Sequence, residues 1–225
     1  LIVLGIIAFM FFIAYPTKKI WRLIAVIGVV IVVGWLGYYH FVIVPNHTMT
    51  LTNTVTEAAS KSFRDDRILA WLYPDDYPAD AYQQQNSIMA IGSGQLWGKG
   101  LNNTDATSVK NGNFIPEPQT DFIFAVAGEE LGFIGTVIII ILLLFITIEC
   151  IFIARKAKDT AGRLICCGVG ALIGFQTFVN IGVASGLLPN TGVTLPFVSY
   201  GLTSLWSLYI GIGLVLNVGL QPKKY

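Results

Sequence analysis

The sequence runs from residue 164 to residue 222 without a single Asp, Glu, Lys or Arg, a stretch of 59 residues. A helix needs only about 20 apolar residues to cross about 30 Å of hydrocarbon, so this stretch is too long for one crossing. Its middle part, residues 185–199, is rich in Pro, Gly, Ser and Asn, which break helices. We therefore predict two transmembrane helices, at residues 164–184 and 200–220, joined by a Pro/Gly-broken outer loop.

Three more apolar runs precede this stretch. Residues 1–14 form a short run, which we expect to be the truncated end of a helix; residues 23–44 are uncharged; and a third run begins near residue 122. Only 12% of the residues are charged, whereas soluble domains carry about a quarter. These features predict an all-α, polytopic transmembrane helical bundle with about five spans in this chain.

The basic residues lie in clusters between the apolar runs. Five crossings place nine of the fourteen Lys and Arg residues on one side of the membrane: Lys18, Lys19, Arg22, Arg155, Lys156, Lys158, Arg163, Lys223 and Lys224. Short loops rich in Lys and Arg face the cytoplasm. We therefore predict a cytoplasmic carboxyl terminus and an extracellular loop at residues 45–121. The net charge of +1 gives no reason to expect a nucleic-acid partner.

The predicted extracellular loop, residues 45–121, is 77 residues long and too apolar for a flexible linker. Loops longer than about 15 residues are uncommon unless they are functional or disordered. Residues 53–73 carry apolar side chains at helical spacing and predict an amphipathic helix on the membrane surface, with a second short helix at residues 82–91. The chain thus divides into residues 1–44 with two spans, this loop, and residues 122–225 with three spans, in one membrane domain.

Asp121 ends the loop immediately before an apolar span. Partial desolvation at that position strengthens a carboxylate as a base. The alternative, which spacing alone favours, is that Thr120 or Asp121 caps the following helix. Glu129 and Glu130 fall at membrane depth, where ionisable groups usually face a protein interior or a cavity and are functional.

Five stretches of mixed polar and apolar residues stand out along the chain. Residues 116–125 read Pro-Glu-Pro-Gln-Thr-Asp-Phe-Ile-Phe-Ala, and residues 128–132 read Gly-Glu-Glu-Leu-Gly. The others are residues 82–87, residues 92–100 and residues 187–201, the last of which contains Leu-Pro-Asn-Thr-Gly and Pro-Phe-Val-Ser-Tyr-Gly. Taken in their order along the chain, they resemble the signatures of the FtsW, RodA and SpoVE family. Strings of this length rarely arise from membrane composition alone, so the resemblance is specific.

The resemblance implies a peptidoglycan glycosyltransferase of the bacterial plasma membrane, of which this chain is the carboxyl-terminal half. Such proteins polymerise lipid II into glycan strands in cell elongation, division or sporulation, beside a class B penicillin-binding transpeptidase. The substrates implied are lipid II, a polyprenyl-diphosphate-linked donor, and the growing glycan strand. We expect this fragment alone to be inactive, because the missing helices would supply further polar residues of the site.

The resemblance also implies the site residues. Asp121 matches the essential loop aspartate of the family and would be the catalytic base. The remaining residues are candidates for substrate binding: Arg67, Tyr82, Gln83, Lys99, Glu117, Thr120, Glu130, Pro189, Thr191, Gly192, Ser199 and Tyr200. Solvation at the surface is an equal alternative for Arg67 and Lys99. A divalent cation, Mg²⁺ or Mn²⁺, is implied as an aid to phosphate chemistry, although no metal-site spacing occurs in the sequence.

The sequence departs from the family pattern at two places. Gln119 stands where the family usually has His, which removes any role of an imidazole beside the aspartate. Leu202 and Thr203 replace the usual Gly-Ser pair.

Two other functions fit a membrane protein of this kind. A lipid II flippase would need a polar path through the bilayer, and the acids in or near these spans are few: Glu129, Glu130 and Glu149. A non-catalytic scaffold for a transpeptidase would present small residues on a span face, such as Gly211 and Gly213.

Overall fold

The computed structural model describes Met10 and residues 63–102, 108–109, 112, 115–116 and 118–221. The side chains of residues 63–66 and 80 are outside this description. Five helices follow one another, with no strand in the described ranges: α1 (Phe63–Leu72), α2 (Pro78–Ser93), α3 (Ile123–Lys156), α4 (Thr160–Ala184) and α5 (Leu202–Leu220). Apart from Met10, the predicted spans at residues 1–14 and 23–44 lie outside the described residues.

Helices α3, α4 and α5 are each long and apolar enough to cross a membrane. The prediction of an all-α, polytopic membrane protein is therefore confirmed. Helix α4 begins at Thr160, before the predicted residue 164, and therefore includes Arg163 in its first turn. A helix can extend beyond the hydrocarbon, so a charged first turn lies outside the apolar run that the sequence marks.

Helices α1 and α2 lie over the carboxyl end of α4. The last carbonyls of a helix have no partner within it. Three side chains donate hydrogen bonds to the carbonyls at this end: Gln84 Nε2 to Val183 and Leu188 (2.8 and 2.7 Å), Ser87 Oγ to Ala184 (2.8 Å), and Trp71 Nε1 to Gly186 (2.8 Å). These bonds hold the two helices of the long loop against the broken loop at residues 185–199.

Helix α2 confirms the short helix predicted at residues 82–91 and is longer at both ends. It begins at Pro78 because proline is favoured at the first position of a helix, where its missing N–H has no acceptor to lose. Helix α1 occupies the end of the region predicted as an amphipathic helix, and the part of that region before residue 63 lies outside the described residues.

Helix α3 is broken at Gly132, whose φ of 69° and ψ of −168° are not helical. Glycine adopts a positive φ without the clash that a Cβ would cause. The break divides α3 into residues 123–131 and residues 133–156. The second part has 24 residues and a length of about 36 Å, which is sufficient to cross the hydrocarbon by itself.

The loop at residues 95–100 forms hydrogen bonds with main-chain amides and carbonyls of α3 on both sides of the break at Gly132. Two of its amides donate to α3, and two of its carbonyls accept from α3: Lys99 N to Glu129 O (2.9 Å), Gly100 N to Glu130 O (3.0 Å), Phe133 N to Gln95 O (2.8 Å), and Ile134 N to Leu96 O (3.2 Å). Unsatisfied backbone groups are costly near lipid, so a break of this kind requires such a partner. The loop is therefore held firmly to one end of the span.

Two glycines, Gly94 just before this loop and Gly98 within it, allow the chain to approach α3 closely. A methyl group at Gly94 would overlap the carbonyl of Gly128, and one at Gly98 would overlap the carbonyl of Glu130. Gly98 also has a φ of +78°, which other residues rarely adopt. The glycine spacing that the sequence shows in this stretch thus has a packing reason.

Candidate functional site

Asp121 lies two residues before the first residue of α3. The N-cap position belongs to Phe122 rather than to Thr120 or Asp121, and Phe122 makes no side-chain capping bond. The Phe122 side chain is buried in the apolar core, and its carbonyl accepts hydrogen bonds from Ala125 N and Val126 N. Burial of this ring sets the helix start one residue further along the chain than the polar residues suggest.

Two buried side chains hold the main chain around Asp121. Asn180 Nδ2, in α4, donates to the carbonyls of Asp121 (2.7 Å) and Val193 (2.6 Å). Ser199 Oγ donates to the carbonyl of Thr120 (2.6 Å). The segment that precedes α3 is therefore joined to both ends of residues 193–199 in the broken loop.

Main-chain bonds extend this junction. Tyr200 N donates to the carbonyl of Gln119 (2.9 Å), and Leu195 N donates to Ser199 Oγ (2.7 Å). Gln119 contributes here through its main chain, a contact that does not depend on which side chain stands at this position.

Gly192 lies beside the carboxylate of Asp121. A Cβ built on Gly192 would be 3.3 Å from Asp121 Oδ2, and the residue has a φ of +66°. The absence of a side chain at this position leaves room for the carboxylate next to the broken loop. Asp121 itself is half-buried and Gly192 is exposed, so this edge of the site opens toward solvent.

Two of the predicted binding residues, Arg67 and Gln83, contact Asn190, which lies two residues before Gly192. Arg67 Nη1 makes a long contact of 3.5 Å with the Asn190 carbonyl, and Asn190 Nδ2 donates to Gln83 Oε1 at 3.4 Å. Pro189, the residue before Asn190, is half-buried. Three further predicted binding residues are exposed: Tyr82, Thr191 and Tyr200. The structure thus brings residues of α1 and α2 to the same loop that holds Asp121.

Lys99 and Glu130 lie elsewhere, at the break in α3. The ammonium of Lys99 forms an ion pair with Glu129 Oε1 (2.8 Å), while Glu129 Oε2 accepts from Val109 N (2.9 Å) and Ser108 Oγ (3.3 Å). Glu129 is buried and faces the protein interior, where it ties two parts of the long loop to α3. A role of Lys99 in substrate binding stays a prediction.

Sequence reasoning missed Asn180, the residue that joins Asp121 to the broken loop. A buried amide in an apolar span needs a polar partner, so an Asn within the predicted 164–184 helix was the available signal.

Glu117 lies outside the described residues. Among the residues that the structure describes, no group of three or more His, Cys, Asp or Glu side chains could hold a metal ion.

The arrangement places one carboxylate, held through its main chain, where the polar loop meets the start of α3. Such a carboxylate can accept a proton from a hydroxyl group of a substrate whose apolar part stays in the bilayer.

Replacing Asn180 with Ala is expected to destabilise the folded protein by about 1–3 kcal/mol, because two inward-facing carbonyls lose their donor. Thermal unfolding of the full-length protein in detergent measures this effect. Asn217→Ala is the matched control, since Asn217 is an exposed amide in α5. Equal unfolding temperatures for the two variants would contradict a structural role of the Asn180 bonds.

The comparisons with known proteins agree with these signatures. The family model for FtsW, RodA and SpoVE, described as "Cell cycle protein", matches residues 1–224. "Probable peptidoglycan glycosyltransferase FtsW" of Escherichia coli O157:H7 is 34% identical over 209 residues, which are 91% of this chain and 45% of that protein. "Stage V sporulation protein E" of Bacillus subtilis is 40% identical over 174 residues, which are 77% of this chain and 46% of that protein.

One solved structure has a similar fold. It is reported under the words "Structural coordination of polymerization and crosslinking by a peptidoglycan synthase complex", with a TM-score of 0.63 and 28% sequence identity over 97% of this chain and 54% of that one. The chain spans about half the length of the curated relatives that it matches. With the family model matched over nearly every residue, this multi-pass membrane chain belongs to the FtsW/RodA/SpoVE family.

Proposed function

We propose that the protein containing this chain is a peptidoglycan glycosyltransferase that polymerises lipid II into glycan strands. The observation that carries the proposal is the position of the Asp121 carboxylate, beside Gly192 and on a main chain held by Asn180 and Ser199. The names of the relatives support the same reaction. The activity serves cell elongation, division or sporulation.

In the proposed reaction, Asp121 accepts the proton of a sugar hydroxyl on the acceptor. The hydroxyl oxygen bonds to the anomeric carbon of the donor sugar, and the bond from that carbon to the diphosphate oxygen breaks. Polyprenyl diphosphate leaves with the bonding electron pair. A base positioned for such a proton transfer contributes about 10²–10⁴-fold to the rate.

The leaving diphosphate is anionic, so a nearby cation stabilises it. Arg67 is the cation that we assign to this role, because its guanidinium contacts Asn190 at the rim of the Asp121 site. A divalent cation, Mg²⁺ or Mn²⁺, belongs to the same proposal and would screen the charge of the phosphates. Loss of polymerisation in chelator and its return with either metal is the expected observation.

We propose that the long loop faces the outside of the bacterial plasma membrane and that the carboxyl terminus faces the cytoplasm. Arg155 and Lys156 end α3, Lys158 lies in the turn that follows, and Arg163 lies in the first turn of α4, so four basic residues lie in or beside one short turn. The positive-inside rule assigns such a turn to the cytoplasm. The Asp121 site lies at the opposite ends of the same helices.

We also propose that a class B penicillin-binding transpeptidase is the membrane partner. Of the two small residues that the scaffold hypothesis uses, Gly211 packs against Val169, whereas a methyl at Gly213 would meet nothing within 4 Å. Gly213 is therefore the position in this pair that leaves space for a partner helix.

The test is reconstitution of the purified full-length protein with its transpeptidase in liposomes that contain lipid II. We expect long glycan strands on a gel, and we expect fluorescent lipid II to stay in its original leaflet, as measured by chemical bleaching of the outer leaflet. Transfer of lipid II between leaflets without strand formation would favour the flippase. If the protein forms no strands and transfers no lipid II but still binds the transpeptidase, the scaffold is favoured.

A further inference from the structure

The loop at residues 95–101 exposes three large apolar side chains. Trp97 is 80% exposed, Leu101 is 74% exposed and Leu96 is 59% exposed. Isolated apolar residues are common on protein surfaces, but a cluster of this kind on one short loop marks a contact with a partner or a membrane.

The height of this cluster relative to the membrane follows from its bonds to α3. The amide of Ile134 donates to the carbonyl of Leu96, and Ile134 is the second residue of the part of α3 that follows the break at Gly132. Phe133 and Ile134 are themselves exposed and continue into the apolar surface of the span. The cluster therefore lies beside the first turn of the part of α3 that is long enough to cross the hydrocarbon by itself.

Charge does not oppose insertion of this loop into the headgroup region of a bilayer. Lys99 is the only charged residue between residues 93 and 102. Its ammonium is paired with Glu129 at 2.8 Å, so the charge is neutralised on the side of the loop that faces α3. The three apolar side chains of the cluster carry no charge and are exposed.

We propose that Leu96, Trp97 and Leu101 form a membrane anchor that inserts into the headgroup region of the leaflet on the long-loop side, with phospholipid as its partner. Tryptophan favours this region because its ring is apolar while its indole N–H binds polar groups. The anchor holds the long loop down on the bilayer and, through the bonds at the break, fixes the end of α3. This inference is independent of the reaction at Asp121.

The test is tryptophan fluorescence of the full-length protein in phosphatidylcholine liposomes, with Trp97 retained and the other tryptophans replaced by Phe. Lipids brominated near the headgroup end of the chain are expected to quench Trp97 emission at least about twofold more than lipids brominated near the terminal methyl. A protein that retains only Trp71 is the matched control. That indole is half-buried and bonded to Gly186, and we expect little quenching by either lipid.

Two results would overturn the anchor. Quenching of Trp97 by aqueous acrylamide without quenching by brominated lipid would mean that the loop stands in water. Protection from both quenchers would mean that another protein segment covers it. If multiple replacement prevents folding, the difference in quenching between the native protein and Trp97→Phe gives the same answer.

Discussion

Asp121→Asn is expected to lower the rate of glycan-strand formation at least about 100-fold, while the protein folds as before. The amide of Asn has nearly the shape of the carboxylate but cannot accept the proton of the acceptor hydroxyl. The structure favours unchanged folding because Asn180 binds the main-chain carbonyl of residue 121, which the substitution leaves in place. Lipid II polymerisation by the full-length protein with its transpeptidase measures the effect.

Asp75→Asn is the matched control for this variant. Asp75 is an exposed carboxylate in the turn between α1 and α2, part of the same long loop, and its loss should leave the rate of polymerisation unchanged. Polymerisation by Asp121→Asn at the native rate would remove the base from the proposed mechanism. A parallel drop in both variants would point instead to the overall negative charge of the loop.

Glu129→Ala is expected to destabilise the protein by about 1–3 kcal/mol, the usual effect of leaving buried donors without their acceptor. The substitution leaves the ammonium of Lys99 without its carboxylate and removes the acceptor of Val109 N and Ser108 Oγ. The long loop would then lose its side-chain bonds at the break in α3. Thermal unfolding in detergent is the measurement.

Two further variants separate the ion pair from the rest of the contact. Glu129→Gln keeps an acceptor for Val109 N and is expected to destabilise the protein less than Glu129→Ala does. Lys99→Met in the Glu129→Ala background should add little, because the two side chains act as a pair. Glu149→Gln, on an exposed position of the same helix, is the control. Additive losses in the Glu129 and Lys99 variants would show that the pair has no coupling energy.

The positions of the membrane helices could be predicted from the sequence because charge and hydropathy alone decide which segments lipid accepts. The uncharged run after residue 164 already indicated two spans with a broken loop between them, and α4 and α5 occupy those positions. The start of α3 was predicted to within one residue, but its N-cap was not. Thr120 and Asp121 are good capping residues in isolation, but burial of the Phe122 ring in the core determined where the helix begins.

The partners of the polar side chains could not be read from the sequence. Lys99 resembles a cation for a phosphate when its surroundings are unknown, yet its ammonium lies 2.8 Å from Glu129, thirty positions along the chain. Asn180 resembles an ordinary span residue, yet its amide joins Asp121 to Val193. Hydrogen bonds between distant segments leave no periodic signal, because they depend on how helices and loops are placed in three dimensions.

The sequence by itself therefore determined that this chain is a helical membrane protein, that α3, α4 and α5 are apolar enough to cross a bilayer, and which family it resembles. Only the tertiary structure decided that the loop at residues 95–100 closes the break at Gly132 and that the broken loop meets Asp121. The physical reason is that partition into lipid depends on the local composition of a segment. Pairing of buried polar groups depends on contacts between segments, and each such group in these helices must find its partner wherever the fold brings one within reach.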